Sequence, residues 1–326
     1  MSRCPSQNSY TGRHSLSAVS VTMLAYNRRN YVGKAIESVL NQRYADFELI
    51  IVDDASTDGT SEIIDRHARQ DHRVRVVHHA ENKGVGFARK AVVELARNDL
   101  VALMDDDDIM LPGRLDLQVG FMNAHPDVSV MSSWAYLIDG AGKIIGKSCP
   151  EVDLERAKAE SNPRLCLGLI HPAVMFRKAD VMKVGGYREG LRCLEDRDLW
   201  ARMVAAGCKL AAQPEFVLHH RLHGESIMVT RMAEIHDFGG FIDFNLVRRL
   251  RGQDEMTREQ YNDYLGSLPL LKRLSNKKDR LCQIAFWRAT MHYSARAWMR
   301  FVGNLALALG LEPLATIRRI LKKLPS

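Results

Sequence analysis

The sequence predicts an α/β fold in which a doubly wound, mostly parallel sheet is followed by a helical extension. Apolar runs that suit buried strands alternate with segments of helical spacing, and this order is typical of a parallel sheet with right-handed crossovers. The strands are predicted at Ala18–Leu24, Phe47–Val52, Val74–Val77 and Leu100–Met104, and the intervening helices at Tyr31–Gln42, Ser61–Gln70 and Gly84–Arg97.

Later elements divide the chain into regions. Strands are predicted at Ser129–Ile138 and Val174–Phe176, and a helix at Asp196–Ala206. Beyond His236 the pattern is helical and basic. We therefore expect a flexible tail at residues 1–16, one α/β domain at 17–232 and a basic helical region at 233–326.

Composition narrows the class of protein. The 326 residues are 46% hydrophobic and 26% charged, as expected of a globular protein. The six cysteines include no CxxC pair, so neither a zinc site nor a disulfide framework is expected, and reduced thiols favour a cytoplasmic location. No signal peptide or membrane-spanning helix is predicted. The net charge of +7 comes from residues 245–326, which hold 16 Lys and Arg against 6 Asp and Glu.

Four consecutive aspartates, Asp105–Asp108, follow the apolar run that ends at Met104. Carboxylates so close together repel one another unless a cation neutralises them, and hard oxygen ligands suit Mg²⁺, Mn²⁺ or Ca²⁺. Ligands of open α/β sheets bind beyond the carboxyl ends of the strands. The run therefore predicts a metal site at the mouth of a nucleotide-binding fold, with a solvated acidic loop as the alternative.

Five motifs in chain order make the sequence resemble a family 2 glycosyltransferase of the GT-A fold. They are Val21–Arg28 with Asp53–Thr60, the turn Asn82-Lys83-Gly84 leading to Arg89, the DxD-type run Asp105–Asp108, the pair of blocks Val184–Tyr187 and Leu194–Arg202, and Arg221–Ser226. The resemblance covers about residues 17–230 and rests on the order and spacing of the motifs rather than on any one of them.

The resemblance implies an inverting, metal-assisted transfer of a sugar from a nucleotide-diphosphate sugar, with UDP as the expected nucleotide and Mn²⁺ or Mg²⁺ as the metal. It places Asp107 on the metal and Asp105 on the ribose, or on the metal through water. Asp106 stands where the family usually has a small residue, so it either contributes to donor binding or faces solvent. Asp108 is expected to touch the sugar or orient Asp107.

The same resemblance assigns residues to the nucleotide base. Asp54 is expected to accept a hydrogen bond from the imide N–H of uracil, and an Asx turn that caps the following loop is the alternative. Tyr26 is expected to stack near the base, while Ala25 and Asn27 line the pocket through their backbone. Ordinary packing at the strand end is the alternative for these three.

Further residues are expected to serve the diphosphate and the acceptor. Arg89 either faces the diphosphate or pairs with a carboxylate. Arg221 is expected to contact the diphosphate and His223 to complete the metal shell, with a polar surface loop as the alternative. Asp196 is expected to be the general base for the acceptor hydroxyl, although an acidic residue at this position also favours a helix N-terminus.

The acceptor expected from the resemblance is a saccharide or a lipid-linked glycan in envelope polysaccharide or glycoconjugate synthesis. After Pro313, apolar Leu314, Ile317, Ile320, Leu321 and Leu324 face away from Arg318, Arg319, Lys322 and Lys323. Such a helix suits peripheral contact with the inner face of the cytoplasmic membrane. Packing on its own domain or in a homodimer is the alternative. Nucleic acid is not an expected partner, because no recognition motif accompanies the charge.

Two other functions compete with the transferase. A nucleotidyltransferase would carry a Gly- and Lys-rich loop for a triphosphate, and Val19–Arg29 has none. A catalytically inactive GT-A scaffold or sugar-binding protein would have lost acidic residues that are all present here. A dehydrogenase is not expected, because no GxGxxG turn follows the first strand.

Overall fold

The computed structural model describes residues 17–159, 164–191, 193–223, 231–294, 298–313 and 315–317. Its strands are β1 (Val19–Ala25), β2 (Phe47–Asp53), β3 (Val74–His78), β4 (Leu100–Asp105), β5 (Ile109–Met110), β6 (Val128–Ile138), β7 (Ile144–Ser148), β8 (Val174–Arg177) and β9 (Lys209–Arg221). They form one nine-stranded sheet in the order β3-β2-β1-β4-β8-β6-β9-β5, with β7 paired to β6. The predicted α/β class is confirmed.

The helices follow the predicted alternation and then continue beyond it. They are α1 (Val32–Leu40), α2 (Thr60–Gln70), α3 (Val85–Leu95), α4 (Arg114–Ala124), α5 (Leu154–Ala159), α6 (Arg164–Leu167), α7 (Lys178–Lys183), α8 (Glu195–Ala205), α9 (Met232–Leu250), α10 (Arg258–Ser267), α11 (Leu270–Ser294) and α12 (Trp298–Leu311). A single 3₁₀ turn, His171–Ala173, precedes β8. Helix α12 ends at Leu311, two residues before Pro313, as a proline requires.

The core lies on both faces of the sheet. Strands β1, β2 and β4 are parallel and almost wholly apolar, because helices cover each face and leave no position for a polar alternation. Helix α1 buries Ile36 and Val39 on one face, whereas α3 and α8 bury Val92 and Trp200 on the other. Full burial of a side chain such as Ile36 contributes about 1.5–3 kcal/mol to stability.

The register of the parallel strands creates the functional edge of the sheet. Ala25 at the end of β1 lies opposite Asp53 of β2, and Leu24 lies opposite Asp105 of β4. The residues that follow each strand therefore emerge side by side. Sequence segments about thirty and eighty residues apart meet at this edge, as the Tyr26–Asp106 and Asp54–Gly84 hydrogen bonds show.

Strand β9 was not predicted. It ends at Arg221, the first residue of the Arg221–Ser226 motif (the late motif), and so brings this motif to the same edge. It runs parallel to β6, and the register shifts where Gln213 gives way to Phe216. Pro214 cannot donate to the ladder, so the bulge there interrupts the alternation that would have marked a strand. The alternative of a polar surface loop is wrong for Arg221, which is buried at the end of β9 next to His219 and His220 of the same strand.

The first helix of the C-terminal region, α9, packs against the α/β core. Helix α9 buries Ile242 and Leu246 in the same apolar cluster as α8. The division of the chain at residue 232 stays a prediction. Helices α11 and α12 pack on each other around the small residues Ala285 and Ala308.

Two predicted segments are described only in small part or not at all. The N-terminal tail, residues 1–16, lies outside the described residues, as does the amphipathic stretch from Leu314 to Leu324 apart from Ala315–Ile317. Across the described ranges, no helix has both the length and the apolar content needed to cross a membrane.

Candidate active site

The four consecutive aspartates are separated by the fold into four different environments. Asp105 forms an ion pair with the buried Arg89. Asp106 accepts a hydrogen bond from the Tyr26 N–H at 3.0 Å and is only 8% exposed, so the solvent-facing alternative is wrong and its role in donor binding stays a prediction. The third and fourth carboxylates turn toward the end of β9.

Asp107 and Asp108 connect β4 to the late motif. The Nε2 of His223 lies 2.8 Å from Oδ2 of Asp107, which joins the two residues predicted as metal ligands. Asp108 is fully buried and its Oδ1 accepts the Arg221 N–H at 2.7 Å. This contact anchors the acidic turn to β9 and places Asp108 in a positioning role next to Asp107.

The acidic turn carries more negative charge than its protein surroundings neutralise. Burial and the Asp107 carboxylate raise the pKa of both Asp106 and Asp108 well above the usual range. Oδ2 of Asp108 is buried without a hydrogen-bond partner. Both features fit a turn that receives a cation.

The donor set suits a metal shared with substrate. Within the described ranges, no cluster of three or more His, Cys, Asp or Glu side chains is arranged to hold a metal. Mg²⁺ and similar cations are usually held by one or two protein carboxylates together with substrate phosphates. Asp107 and His223 lie in contact and would supply two ligands, so these residues fit a divalent cation whose shell a diphosphate would complete.

The predicted base-binding residues surround the ends of β1 and β2. The ring of Tyr26 is 43% exposed and so presents a face for stacking. The Ala25 carbonyl accepts the Asp54 N–H at 2.9 Å. Asn27 adopts a left-handed φ of 52°, and its side chain accepts the Thr57 N–H at 2.8 Å. This backbone conformation folds the Asp53–Thr60 turn against β1.

Asp54 holds the Asn-Lys-Gly loop in place. Its Oδ1 accepts the Lys83 N–H at 3.1 Å and lies 2.7 Å from His79 Nδ1, while Oδ2 accepts the Gly84 N–H at 3.1 Å. Each carboxylate oxygen has two acceptor positions. Oδ2 therefore retains one acceptor position, but the side chain is only 3% exposed, and base reading by Asp54 stays a prediction.

Arg89 links the acidic turn to the start of α8. It is 6% exposed, pairs with Asp105 and lies 4.0 Å from Glu195 Oε1. Nε and Nη1 of Arg89 are buried without hydrogen-bond partners. The adjacent Asp196 is partly exposed, and its side chain accepts the Arg197 N–H at 2.7 Å. Leu194, with a left-handed φ of 58°, turns the chain into this helix.

Arg221 is largely occupied by backbone carbonyls. Its Nε donates to Asp107 O at 2.7 Å and its Nη1 to Asp139 O at 3.0 Å, while the guanidinium stacks 4.8 Å from the Tyr31 ring centroid. These bonds fix the acidic turn against the β6–β7 hairpin. The predicted contact of Arg221 with a diphosphate stays a prediction.

Sequence reasoning missed several residues around the candidate site, which lies at the ends of β1, β2, β4 and β9 and the start of α8 and is called the cleft below. Arg28 Nε lies 3.5 Å from Asp107 Oδ2 and 3.8 Å from Asp106 Oδ1. Arg114, 1% exposed, donates to the carbonyls of Leu103 and Pro172, so one buried cation braces β4 and the 3₁₀ turn together. Burial lowers the pKa of Arg114 to about 9. No local pattern marks these contacts, because their partners are distant in sequence.

Comparison with known proteins identifies the family. The family model described as Glycosyl transferase family 2 matches residues 20–185, about half of the chain. The chain belongs to glycosyltransferase family 2. It is 34% identical over 220 residues to an uncharacterised glycosyltransferase of Methanocaldococcus jannaschii, which covers 66% of this chain and 74% of that protein. It is 30% identical over 223 residues to the O-antigen biosynthesis glycosyltransferase WbnJ of Escherichia coli, covering 67% and 85%.

Solved structures share the fold of this glycosyltransferase. S. aureus TarS in complex with UDP-GlcNAc superposes with a TM-score of 0.57 at 18% identity, over 91% of this chain and 90% of that one. The mannosyltransferase PcManGT of Pyrobaculum calidifontis, in complex with GDP-Man and Mn²⁺, gives 0.55 at 15% identity, over 94% and 79%. At these identities the likeness establishes the GT-A fold alone.

Gly86 of this glycosyltransferase is a close contact between α3 and the segment that leads to Asp196. A Cβ at this position would lie 2.5 Å from the Arg188 carbonyl oxygen and 3.0 Å from that of Leu191. We expect Gly86→Ala to lower stability by about 1–3 kcal/mol through overpacking and to reduce sugar transfer. Gly120→Ala is the control, since its Cβ would meet nothing within 4 Å. Thermal unfolding that is equal in the two variants would contradict this expectation.

Glu195 should make stability depend on pH. Burial and the neighbouring Asp196 raise its pKa from 4.5 to about 7. The folded state therefore binds this proton more tightly than the unfolded state, and the stabilisation is lost as the pH rises from about 4.5 through 7. Glu195→Gln removes the ionisation. Its Tm minus that of the wild type should increase between about pH 5 and pH 8. A difference that stays constant with pH, as expected for the exposed control Glu215→Gln, would contradict this.

Proposed function

We propose that this family 2 glycosyltransferase moves a hexosyl or N-acetylhexosaminyl group, with inversion, from a UDP-sugar to a saccharide or lipid-linked acceptor of the cell envelope. The observation that carries the proposal is the pairing of Asp107 with His223 at 2.8 Å, on the same edge of the sheet as the acidic start of α8. The names of WbnJ and of the TarS complex support an envelope acceptor and a UDP-linked donor.

The donor half of the site follows from the ends of β1, β2 and β4. The exposed ring of Tyr26 offers a stacking surface for the base, and the remaining acceptor position on Asp54 suits the imide N–H of uracil. Cytosine lacks that N–H in its ordinary form, so Asp54 would favour a uridine nucleotide. Arg28 and Arg89 lie beside the acidic turn, where a diphosphate would meet positive charge.

Asp107 and His223 would hold the divalent metal. When bound, the metal neutralises the negative charge that develops on the departing diphosphate. The chain contributes the geometry, because Arg221 and Asp108 fix the turn on which Asp107 sits. Asp105 is held by Arg89 at the opposite end of the same turn, where it would contact the ribose or a metal-bound water.

Asp196 would accept the proton of the attacking acceptor hydroxyl. Its side chain is partly exposed at the first turn of α8, and the hydrogen bond from the Arg197 N–H leaves further acceptor positions on the carboxylate. Glu195 and Arg89 link this position to Asp105. A single base and an in-line attack are sufficient for inversion at the anomeric carbon.

The competing functions find less support. An inactive scaffold would be expected to lack part of the acid set, but Asp105, Asp107 and Asp196 all lie at the cleft edge of the sheet. A nucleotidyltransferase would need a triphosphate-binding loop after β1. That position holds Tyr26 and the left-handed Asn27.

A nucleotide panel tests the donor assignment. Thermal shift would be measured with UDP, GDP, CDP and TDP, each with Mn²⁺ and with EDTA. We expect stabilisation by UDP that depends on Mn²⁺, since ligand binding to the folded state raises Tm by mass action. Preference for GDP or TDP would overturn the UDP assignment but keep the fold and mechanism. No stabilisation by any nucleotide would contradict the transferase function itself.

Peripheral membrane contact is part of the proposed function, and the described part of α11 supports it. Leu270, Leu271 and Leu274 are 67%, 82% and 53% exposed, and the basic residues Lys272 and Arg273 lie among them. Exposed apolar side chains with interspersed positive charge suit an anionic lipid surface.

Flotation with vesicles tests this contact. We expect binding to phosphatidylglycerol vesicles but not to phosphatidylcholine vesicles, and loss of binding when Leu270 and Leu271 are both changed to Glu. Ile144 and Ile145, 51% and 38% exposed on the β6–β7 hairpin, give the matched double-Glu control. A variant whose oligomeric state changes while vesicle binding does not would favour a homodimer instead.

A further inference from the structure

His171 lies close enough to Arg89, Asp105 and Asp196 to feel their charge, and it belongs to none of the motifs that identified the family. It begins the 3₁₀ turn between α6 and β8, and this turn packs against β4, β6 and β9. Arg114 donates to the carbonyl of the adjacent Pro172 at 2.7 Å and also to Leu103 O at the end of β4. The backbone of His171 is therefore tied to the strand that delivers the acidic turn.

Only one of the two ring nitrogens of His171, Nε2, has a hydrogen-bond partner among the described residues. Its Nε2 lies 2.9 Å from the hydroxyl of Tyr187, which is 1% exposed, and the His171 ring lies against Trp200 with centroids 6.3 Å apart. Nδ1 has no hydrogen-bond partner among the described residues, and it is not one of their buried unpaired atoms. The residue is partly exposed, so Nδ1 is open to a further hydrogen bond as far as the described residues go.

Charged residues of the candidate site act on the His171 ring. Burial and the Arg89 guanidinium lower the pKa of His171 to about 4, while Asp196 and Asp105 act on it in the opposite direction. The ring is therefore neutral near pH 7 and lies within electrostatic reach of both acids. The Tyr187 O–H can donate to Nε2, and the neutral imidazole then carries its proton on Nδ1.

We propose that His171 binds the donor sugar, with the Nδ1–H donating a hydrogen bond to a sugar hydroxyl or N-acetyl oxygen beside the anomeric carbon. Tyr187 fixes the tautomer and orientation of the ring. The donor side is favoured over the acceptor side because the 3₁₀ turn is braced to β4, which carries the acidic turn. The inference rests on the proposed function, since it takes a nucleotide sugar as the ligand.

Two substitutions separate the nitrogens of the ring. The side-chain amide of Asn lies near the position of Nδ1, whereas that of Gln lies near the position of Nε2. His171→Asn should therefore retain the contact with the sugar, and His171→Gln should retain only the contact with Tyr187. Tyr187→Phe removes the group that fixes the tautomer.

The test measures Kd by calorimetry with Mn²⁺ for UDP, UDP-glucose, UDP-galactose and their N-acetylhexosamine counterparts. For the UDP-sugar that the wild type binds most tightly, we expect Kd to rise about 3- to 10-fold in His171→Gln and in Tyr187→Phe, the loss of about one hydrogen bond. His171→Asn should stay within about twofold of the wild type, and the Kd for UDP should be unchanged in every variant.

The possible outcomes separate the role of His171 from the assignment of a UDP-sugar as the donor. Equal weakening of UDP and UDP-sugar binding, or equal UDP-sugar binding by the Asn and Gln variants, would overturn the role of His171 alone. A wild type that binds no UDP-sugar would overturn the donor assignment and the inference together. Melting curves of the free variants show whether each is folded under the conditions of the titration.

Discussion

Asp196→Asn is expected to lower kcat by about 10²–10⁴-fold, because general base catalysis by a positioned carboxylate contributes about that much. Asparagine keeps the size of the side chain and can still cap the first turn of α8, but it cannot accept the acceptor proton. The rate is measured as UDP released from UDP-sugar in the presence of acceptor. The Kd for UDP should stay within about twofold of the wild-type value, as the side chain serves the acceptor rather than the nucleotide.

The control for this variant is Asp263→Asn, an exposed aspartate on α10 that has no part in the cleft. It should match the wild type in rate. If Asp196 served only as an acidic residue at a helix N-terminus, its replacement would cost about 0.3–1 kcal/mol of stability and leave the rate intact. An Asp196→Asn enzyme with near-normal turnover would therefore refute the catalytic assignment.

Asp107→Asn is expected to abolish the Mn²⁺-dependent part of nucleotide binding and to lower kcat/KM by at least about 10²-fold, the typical loss when one group that stabilises developing charge is removed. The His223 contact at 2.8 Å would be changed but not removed, because an amide can still hydrogen-bond to the ring. Thermal shift with UDP, with and without Mn²⁺, measures the first effect, and steady-state kinetics measures the second.

Asp99→Asn is the matched control, because Asp99 is exposed immediately before the first residue of the same strand, β4, at the end remote from the cleft. It should behave as the wild type in both measurements. His223→Ala should lose the Mn²⁺ dependence as Asp107→Asn does. An Asp107→Asn protein that UDP and Mn²⁺ stabilise as strongly as the wild type would place the metal elsewhere.

The strands that carry the site could be predicted from the sequence. β1, β2 and β4 are buried on both faces, so they read as continuous apolar runs, and their ends at Ala25, Asp53 and Asp105 fall within a residue or two of the predicted ones. Parallel strands expose their carboxyl ends at one edge, so the position of Asp54 and the acidic turn on the same edge followed from the order of elements.

The partners of individual carboxylates could not be predicted in the same way. Asp106 is buried because the register of β1 against β4 presents the Tyr26 N–H to it, and no pattern in the acidic run distinguishes it from Asp107. β9 was hidden by the interruption at Pro214, so the link from Arg221 to Asp108 was missed with it.

His171 and Arg114 had no sequence signal for a different reason. Their contacts depend on packing between segments far apart in the chain, such as the 58 residues that separate Arg114 from Pro172. Arg114 has one local partner, the Gln118 side chain on α4, but its other partners are carbonyl oxygens of β4, the 3₁₀ turn and β8, which no local pattern indicates. Side-chain geometry was needed to find both residues.

A crystal structure with UDP and Mn²⁺, in which the metal is located by its anomalous scattering, tests the central assignment most directly. We expect one Mn²⁺ bound by an Asp107 carboxylate oxygen and by Nε2 of His223, with the diphosphate completing its shell. The uracil ring should lie over Tyr26 with its imide N–H on Asp54. A metal that contacts neither Asp107 nor His223, or a nucleotide bound away from the ends of β1 and β2, would contradict the account.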